Sequence, residues 1–202
     1  MSAPFLWIFL PLTLAGFLML LRNQKVIALI ACIFTLILTL AAWLLPLDTA
    51  ITIGNMSFKL SSSFEILGRY LILGSADRSL LALIYGSAIV WFAVAPAVKT
   101  ARRLTSLGLA ITALLVAALA VEPFLYAALL IEMAVLLSIP LLSAPGQRPG
   151  NGLIRFLIFQ TLAMPFILFS SWLLAGIEAN PGDLRLVQQA AILIGLGFSF
   201  LL

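Results

Sequence analysis

Residues 26–46 read VIALIACIFTLILTLAAWLLP and contain no charged side chain. A helix needs about 20 predominantly apolar residues to cross the hydrocarbon core of a bilayer, and this stretch therefore predicts a transmembrane helix. Further apolar runs of similar length lie at residues 4–21, 79–98, 104–121, 124–143, 153–177 and 186–202. The sequence thus predicts an all-α, polytopic transmembrane helix bundle of about seven spans, forming a single transmembrane domain over residues 1–202.

The composition of the whole chain supports this prediction. The 202 residues are 64% hydrophobic and 9% charged, whereas soluble domains are about 45–50% apolar and roughly 25% charged. So few charges cannot cover a water-facing surface, and we expect contact with lipid or with other apolar protein. The Lys and Arg residues are scattered between apolar runs, which argues against a nucleic-acid partner. We expect a multi-pass protein of the cell inner (plasma) membrane or of a thylakoid-type membrane.

Residue types that ligate metals and redox cofactors are scarce. The chain has no histidine and one cysteine, Cys32, which lies within an apolar run. Disulfide frameworks, Cys/His zinc sites, haem ligation by histidine and Ser-His-Asp catalysis are therefore excluded within this chain. We expect no catalytic residue, no metal site and no cofactor bound by this chain.

The connecting segments predict an orientation. Residues 48–78 form the long linker, which we expect at the membrane surface with short strand or hairpin character. Alternate connections carry seven and four Lys and Arg residues, and the positive-inside rule assigns the richer set to the cytoplasm. That set is Arg22, Lys25, Lys99, Arg102, Arg103, Arg148 and Arg155. The N-terminus is therefore expected outside.

Glu132 is the only Asp, Glu, Lys or Arg residue within residues 124–143. A carboxylate at the bilayer centre costs a few kcal/mol even on insertion scales, so it needs a basic partner, a wet cavity or a bound proton. One interpretation is a protonated glutamate that makes a single interhelical hydrogen bond. The other, which we favour, is a proton-relay or coupling carboxylate that faces the bundle interior.

The sixth predicted span opens with further polar residues. Arg155 lies near its start and either takes part in coupling or extends to the lipid headgroups. Gln160 and Thr161 lie deeper and can hydrogen-bond across helices. Pro165 removes an N–H and leaves the Thr161 carbonyl without its usual donor, which predicts a kink with a polar lining. Pro140, two turns beyond the mid-span glutamate, predicts a second kink.

Three motifs occur in a suggestive order: LGRYLILGSADRSLLALIYG leading into the third span, IEMAVLLSIPLL in the fifth and RFLIFQT in the sixth. From residue 64 to 202 the chain resembles the first half of the antiporter-like membrane subunits (L, M and N type) of NADH-quinone oxidoreductase, respiratory complex I, and of related cation/proton antiporters. By this resemblance Glu132 matches the family's carboxylate on span five, and Arg155 matches its usual lysine on span six. Two features depart from the family. Ile131 stands where the family has tryptophan, and GLGFSFLL shows no counterpart of the span-seven lysine.

The resemblance implies a proton- or cation-translocating subunit, or the N-terminal part of one, in a complex I-like NADH:quinone oxidoreductase. Such a subunit is not an enzyme alone, because NADH, quinone and iron–sulfur clusters are expected only in partner subunits. The implied partners are other membrane subunits of the assembly, the lipid bilayer, and protons or monovalent cations.

Two alternatives compete with this prediction. The first is a shortened structural or assembly subunit without transport activity, which both departures favour. The last apolar run ends on FSFLL without a flanking charge, so we expect either the front part of a longer protein or a chain shortened to seven spans. The second alternative is an unrelated transporter, for which two halves with similar discontinuous segments are expected. The sequence shows no such repetition.

Overall fold

The computed structural model describes residues 2–45, 50–53, 56–66, 68–97, 101–123, 125–143, 150–179 and 184–201. Within these residues the chain is mostly helical. A π-helical turn, Phe5–Phe9, leads into α1 at Leu10–Leu20. The other helices are α2 Gln24–Leu44, α3 Arg78–Val94, α4 Ala101–Ala120, α5 Leu125–Leu142, α6 Asn151–Ala179 and α7 Leu184–Leu201. Short 3-10 turns, Ser75–Asp77 and Ala95–Ala97, flank α3.

Four helical segments in the described part of the chain are long and apolar enough to cross a membrane. They are Gln24–Leu44, Ser75–Ala97, Arg103–Ala120 and Asn151–Leu174. Three shorter apolar helices, Phe5–Leu20, Tyr126–Leu142 and Leu184–Gly197, lie at the other predicted spans. The predicted helical fold is therefore confirmed, and it contains four helices that could cross a membrane. That all seven helices cross the bilayer, with the N-terminus outside, stays a prediction.

The chain forms two compact units, Met1–Glu122 and Pro123–Leu202. In the first unit α2 packs along α3 and α4, and α4 packs along α1. Helix α2 buries one face, with residues spaced three or four apart as on a single helix stripe. That face consists of Ile27, Ala28, Ala31, Thr35, Leu38 and Ala42. The three alanines on it let neighbouring helices approach closely.

A proline explains one buried polar contact of the first unit. Pro11 has no N–H, so the carbonyl of Trp7, four residues earlier, lacks its usual helical donor. The Tyr85 hydroxyl on α3 donates a hydrogen bond to this carbonyl. The Trp7 indole Nε1–H in turn donates to the Leu38 carbonyl on α2, at 3.3 Å. Trp7 and Tyr85 are both fully buried, so this network joins the N-terminal helix to α2 and α3.

The long linker contains two antiparallel hairpins, which confirms the hairpin character predicted for it. Strands β1 (Ala50–Ile53) and β2 (Met56–Lys59) form one pair. Strands β3 (Ser63–Ile66) and β4 (Arg69–Ile72) form the other, and β4 also pairs with β5 (Val121–Glu122). The tight turn between β3 and β4 contains Gly68 at φ +71°, a conformation that glycine adopts without a steric penalty.

Hydrogen bonds join the linker to the helix ends of the first unit. The Ala3 N–H donates to the Ser61 carbonyl at 2.8 Å. Arg78, at the start of α3, donates from Nε to the Ala42 carbonyl at 3.0 Å and from Nη2 to the Trp43 carbonyl at 2.7 Å. The last carbonyls of α2 lack helical donors, and a cation is favourable at that end of the helix dipole. The N-terminus, the linker and the end of α4 therefore lie at the same end of this unit.

The second unit consists of α5, α6 and α7, with α6 packed against both of its neighbours. Toward α5, buried Ala128, Met164 and Ile167 form a cluster, and Ile131 and Leu168 pack against it. Toward α7, Gly197 lies directly on α6. A Cβ atom at Gly197 would be 2.8 Å from Ile167 Cγ1. The absence of a side chain at Gly197 therefore lets α7 approach α6 closely at this position.

Candidate functional site

Glu132 lies near the middle of α5, between the apolar residues Ile131 and Met133. Its side chain is half-buried, and its Oε2 atom is fully buried with no hydrogen-bond partner among the described residues. A buried ionised carboxylate without a partner is costly, because it loses the solvation that water would provide. The Oε2 atom of this carboxyl group is therefore turned into the protein.

The register of α5 against α6 shows which residues lie level with Glu132. Ala128, which clusters with Met164, lies 14 residues before the end of α5 at Leu142, and Met164 lies 13 residues after the start of α6 at Asn151. These nearly equal separations indicate that α5 and α6 pack antiparallel to each other. One turn onward from Ala128 is Glu132, and one turn back from Met164 is Gln160.

Gln160 lies on the buried side of α6. Its side chain is 7% exposed, and its amide oxygen is fully buried. It precedes Met164 by four residues, so both side chains lie on about the same face of the helix. Gln160 therefore lies on about the same face of α6 as Met164, which clusters with Ala128 of α5.

The structure places the other predicted site residues differently. Arg155 is exposed, and it precedes Gln160 by five residues, which corresponds to about 140° around the helix axis. Thr161, Pro165 and Pro140 are exposed as well. Of the six residues singled out in the sequence, Glu132 and Gln160 have buried polar atoms, and Arg155 lies away from Gln160 on the exposed side of α6.

Both prolines at which the sequence predicted kinks lie inside helices that continue past them. Pro165 is within α6, and Pro140 is within α5. Each removes one backbone donor, so the carbonyls of Thr161 and Leu136 lose their usual helical hydrogen bonds. The freed Thr161 carbonyl lies next to Gln160 in sequence, and this makes the middle of α6 more polar than its composition indicates.

Sequence reasoning missed a pair of buried hydroxyl groups in α4. Thr105 and Ser106 are fully buried, and neither hydroxyl has a hydrogen-bond partner within the described ranges. The sequence contains a signal that could have found them. Two adjacent hydroxyl residues lie in an apolar span, shortly after Arg102 and Arg103. Ser and Thr in membrane helices usually bond to a carbonyl one turn earlier, as Thr35 does to the Ala31 carbonyl at 2.8 Å.

The described residues contain no group of three or more His, Cys, Asp or Glu side chains that could hold a metal ion. No protein-family model, no curated protein and no solved structure matches this chain. Functional inference therefore depends on the chemistry of the residues themselves and on the motif resemblance. The residues to explain are Glu132, which has a buried carboxyl oxygen on α5, and Gln160, which has a buried amide oxygen on α6.

Proposed function

We propose that this chain is a proton- or cation-translocating membrane subunit, or the N-terminal part of one, and that Glu132 is its proton-binding group. The observation that supports the proposal is the buried Glu132 Oε2 at the α5–α6 contact, which has no partner among the described residues. A carboxyl group inside a membrane span faces a cavity, a partner or an ion pathway far more often than lipid. Protonation neutralises it, and release of the proton restores the charge.

The chemistry of Glu132 favours a proton over a metal cation as the bound ion. A proton needs one oxygen atom, whereas a monovalent metal cation needs several oxygen ligands around it. Glu132 is the only Asp or Glu residue on α5, and α6 adds a second only close to its end, at Glu178. A single carboxyl group suits the binding of a proton better than that of a metal cation.

The setting of this activity follows from the motif resemblance. The chain would be one of several membrane subunits in a complex I-like assembly of an energy-conserving membrane. All seven helices would cross the bilayer, with the N-terminus outside. Electron transfer in partner subunits would supply the energy, and the charge on Glu132 would change as a neighbouring cation moved. Arg155, the counterpart of the family's lysine, is exposed and would meet a partner subunit or lipid headgroups.

The test is Glu132→Gln in membrane vesicles that contain the whole assembly. Glutamine keeps the size and the hydrogen-bonding capacity but cannot exchange a proton. We expect normal abundance of the assembly and a fall in pumping per electron of about 100-fold, since a positioned proton-transfer group typically contributes that much. Glu122→Gln, at an exposed position, is the matched control. Normal pumping by the Glu132 variant would refute the proposal.

The alternative function is a structural or assembly subunit without transport activity. The packing of Ile131 against the α5–α6 cluster favours it, because this residue replaces the family's tryptophan with a core aliphatic side chain. On this reading Glu132→Gln leaves pumping unchanged and raises the stability of the subunit, since a desolvated ionisable group is removed. Measuring abundance and pumping together separates the two functions.

A further inference from the structure

We propose that the cavity between the end of α2 and the start of α3 binds the phosphate group of an anionic phospholipid. The volume of this cavity is about 300 Å³, and the described residues that line it are Ala42, Trp43, Ser75, Arg78 and Ser79. Small-molecule pockets in proteins measure about 300–1,000 Å³, so this cavity suits a small group such as a phosphate better than a large organic ligand. The proposal does not depend on Glu132 or on the proposed function.

Arg78 supplies a positive charge that its hydrogen-bond partners do not neutralise. Its Nε donates to the Ala42 carbonyl at 3.0 Å, and its Nη2 donates to the Trp43 carbonyl at 2.7 Å. Both acceptors are neutral groups, whereas a guanidinium group is always protonated and carries five N–H donors. The two carbonyls therefore hold the guanidinium group in place, and its remaining N–H donors suit the oxygen atoms of a phosphate.

The other polar groups of the lining are hydroxyl groups. Ser75 and Ser79 are both exposed and lie four residues apart, on either side of Arg78 in sequence. The described lining contains no Asp or Glu residue. The acidic residue next to Arg78 in sequence is Asp77, and its Oδ2 atom accepts a hydrogen bond from the Gly74 N–H at 2.9 Å. The described lining thus combines a cation with two hydroxyl donors and contains no carboxylate to repel an anion.

The position of the cavity favours a lipid over a free phosphate ion. The segments Gln24–Leu44 and Ser75–Ala97 are both long and apolar enough to cross a membrane, and the cavity lies where the first ends and the second begins. Trp43 is 74% exposed, and tryptophan is enriched at the boundary between hydrocarbon and water. A phospholipid whose acyl chains lie alongside α2 would bring its phosphate group to the level of this cavity.

Native mass spectrometry of the full chain in a neutral detergent tests the proposal. The added lipids are phosphatidylglycerol, which is anionic, and phosphatidylcholine with the same acyl chains. Ser79→Asp places a negative charge in the lining, and it should keep the fold because an acidic residue is favourable in the first turn of a helix. We expect the unchanged chain to prefer phosphatidylglycerol. In Ser79→Asp this binding should weaken about tenfold, as for two unit charges roughly 5 Å apart near a protein surface.

Ser63→Asp is the matched control, because Ser63 is exposed on β3, in the same unit but outside the described lining. It adds the same charge and should leave the affinity for phosphatidylglycerol unchanged. Unfolding in mixed micelles shows whether each variant is folded, and Ser75→Asp replaces Ser79→Asp if the latter is not. Equal affinity of the lining variant and the control for phosphatidylglycerol would overturn the proposal, as would equal affinity of the unchanged chain for the two lipids.

A second measurement distinguishes a lipid from a free phosphate ion. The thermal unfolding of the delipidated chain is compared in inorganic phosphate and in chloride at equal ionic strength. Stabilisation by phosphate that Ser79→Asp abolishes, without a preference for phosphatidylglycerol, would overturn the assignment to a lipid. Glu132→Gln should bind phosphatidylglycerol as tightly as the unchanged chain does. Failure of the proposed function would therefore leave this test unaffected.

Discussion

Replacing Gly197 with alanine is expected to weaken the contact between α6 and α7. A Cβ atom at this position would lie 2.8 Å from Ile167 Cγ1 and 3.4 Å from both the Ala163 carbonyl oxygen and Phe166 Cβ. Ile167 is buried and β-branched, so its Cγ1 cannot rotate away without a change of rotamer. The two helices must therefore separate, or the core around Ile167 must rearrange.

The expected change in the free energy of unfolding is the sum of two opposing contributions. Overpacking of this kind costs about 1–3 kcal/mol, whereas replacing glycine in a helix by alanine gains about 0.8–1 kcal/mol of propensity. Gly195 is the matched control, because it lies in the same helix and nothing lies within 4 Å of a Cβ atom built there. Both variants gain the same propensity term. The difference between them therefore isolates the steric cost, about 1–3 kcal/mol in favour of Gly195→Ala.

The assay is reversible unfolding of the purified chain in mixed micelles, followed by the fluorescence of its tryptophans, with Trp172 on α6 reporting on the second unit. Gly195→Ala should unfold at the same or a higher denaturant fraction than the unchanged chain, and Gly197→Ala at a lower one. Equal stability of the two variants would refute the close packing of α7 on α6 at Gly197.

Three further predictions concern the first unit. Tyr85→Phe leaves the Trp7 carbonyl without a donor and should cost about 1–3 kcal/mol of unfolding free energy, whereas Tyr70→Phe, at a half-exposed tyrosine, should cost little in the same assay. Arg78→Gln removes two charge-assisted hydrogen bonds to the end of α2 and should lower the stability by about 1–2 kcal/mol; an unchanged unfolding midpoint would contradict this role. Cysteines can be introduced singly at Ser61 and Asn23 in a background without the native cysteine. The cysteine at position 61 should react with an impermeant reagent added outside, and that at position 23 only after permeabilisation. The reverse pattern would show that the predicted topology is inverted.

The helices could be predicted from sequence because each is a long apolar run that ends at charges, prolines or glycines. The predicted span over residues 26–46 corresponds to α2 at Gln24–Leu44, and that over 79–98 to α3 at Arg78–Val94. The hairpins of the linker could be predicted only as a tendency, because the sheet of the second hairpin is completed by a strand beyond the linker. Strand β4, for example, pairs with β5 about fifty residues later in the chain.

The candidate site could be predicted only in part. Glu132 stands out locally, since it is a charge within an apolar span. Its relation to Gln160 is set by how Ala128 and Met164 pack, and no local pattern specifies that register. Arg155 shows the limit of reasoning from motifs, because its position near a span start fits a family pattern while its helical phase turns it toward the exposed side of α6. The division of the chain after Glu122 likewise depends on contacts between distant residues.

The pairing of β4 with β5 has a consequence for the order in which the protein forms during synthesis. Strand β3 and strand β4 leave the ribosome well before α4, whereas Val121 and Glu122 follow it. Until those two residues have been made, the outer edge of β4 keeps unpaired backbone groups, and such an edge can join a strand of another molecule. The final closure of the first unit therefore comes only after its fourth helix is complete. A nascent chain whose residues 121 and 122 are still inside the ribosome would expose this edge, whereas one from which they have emerged could cover it.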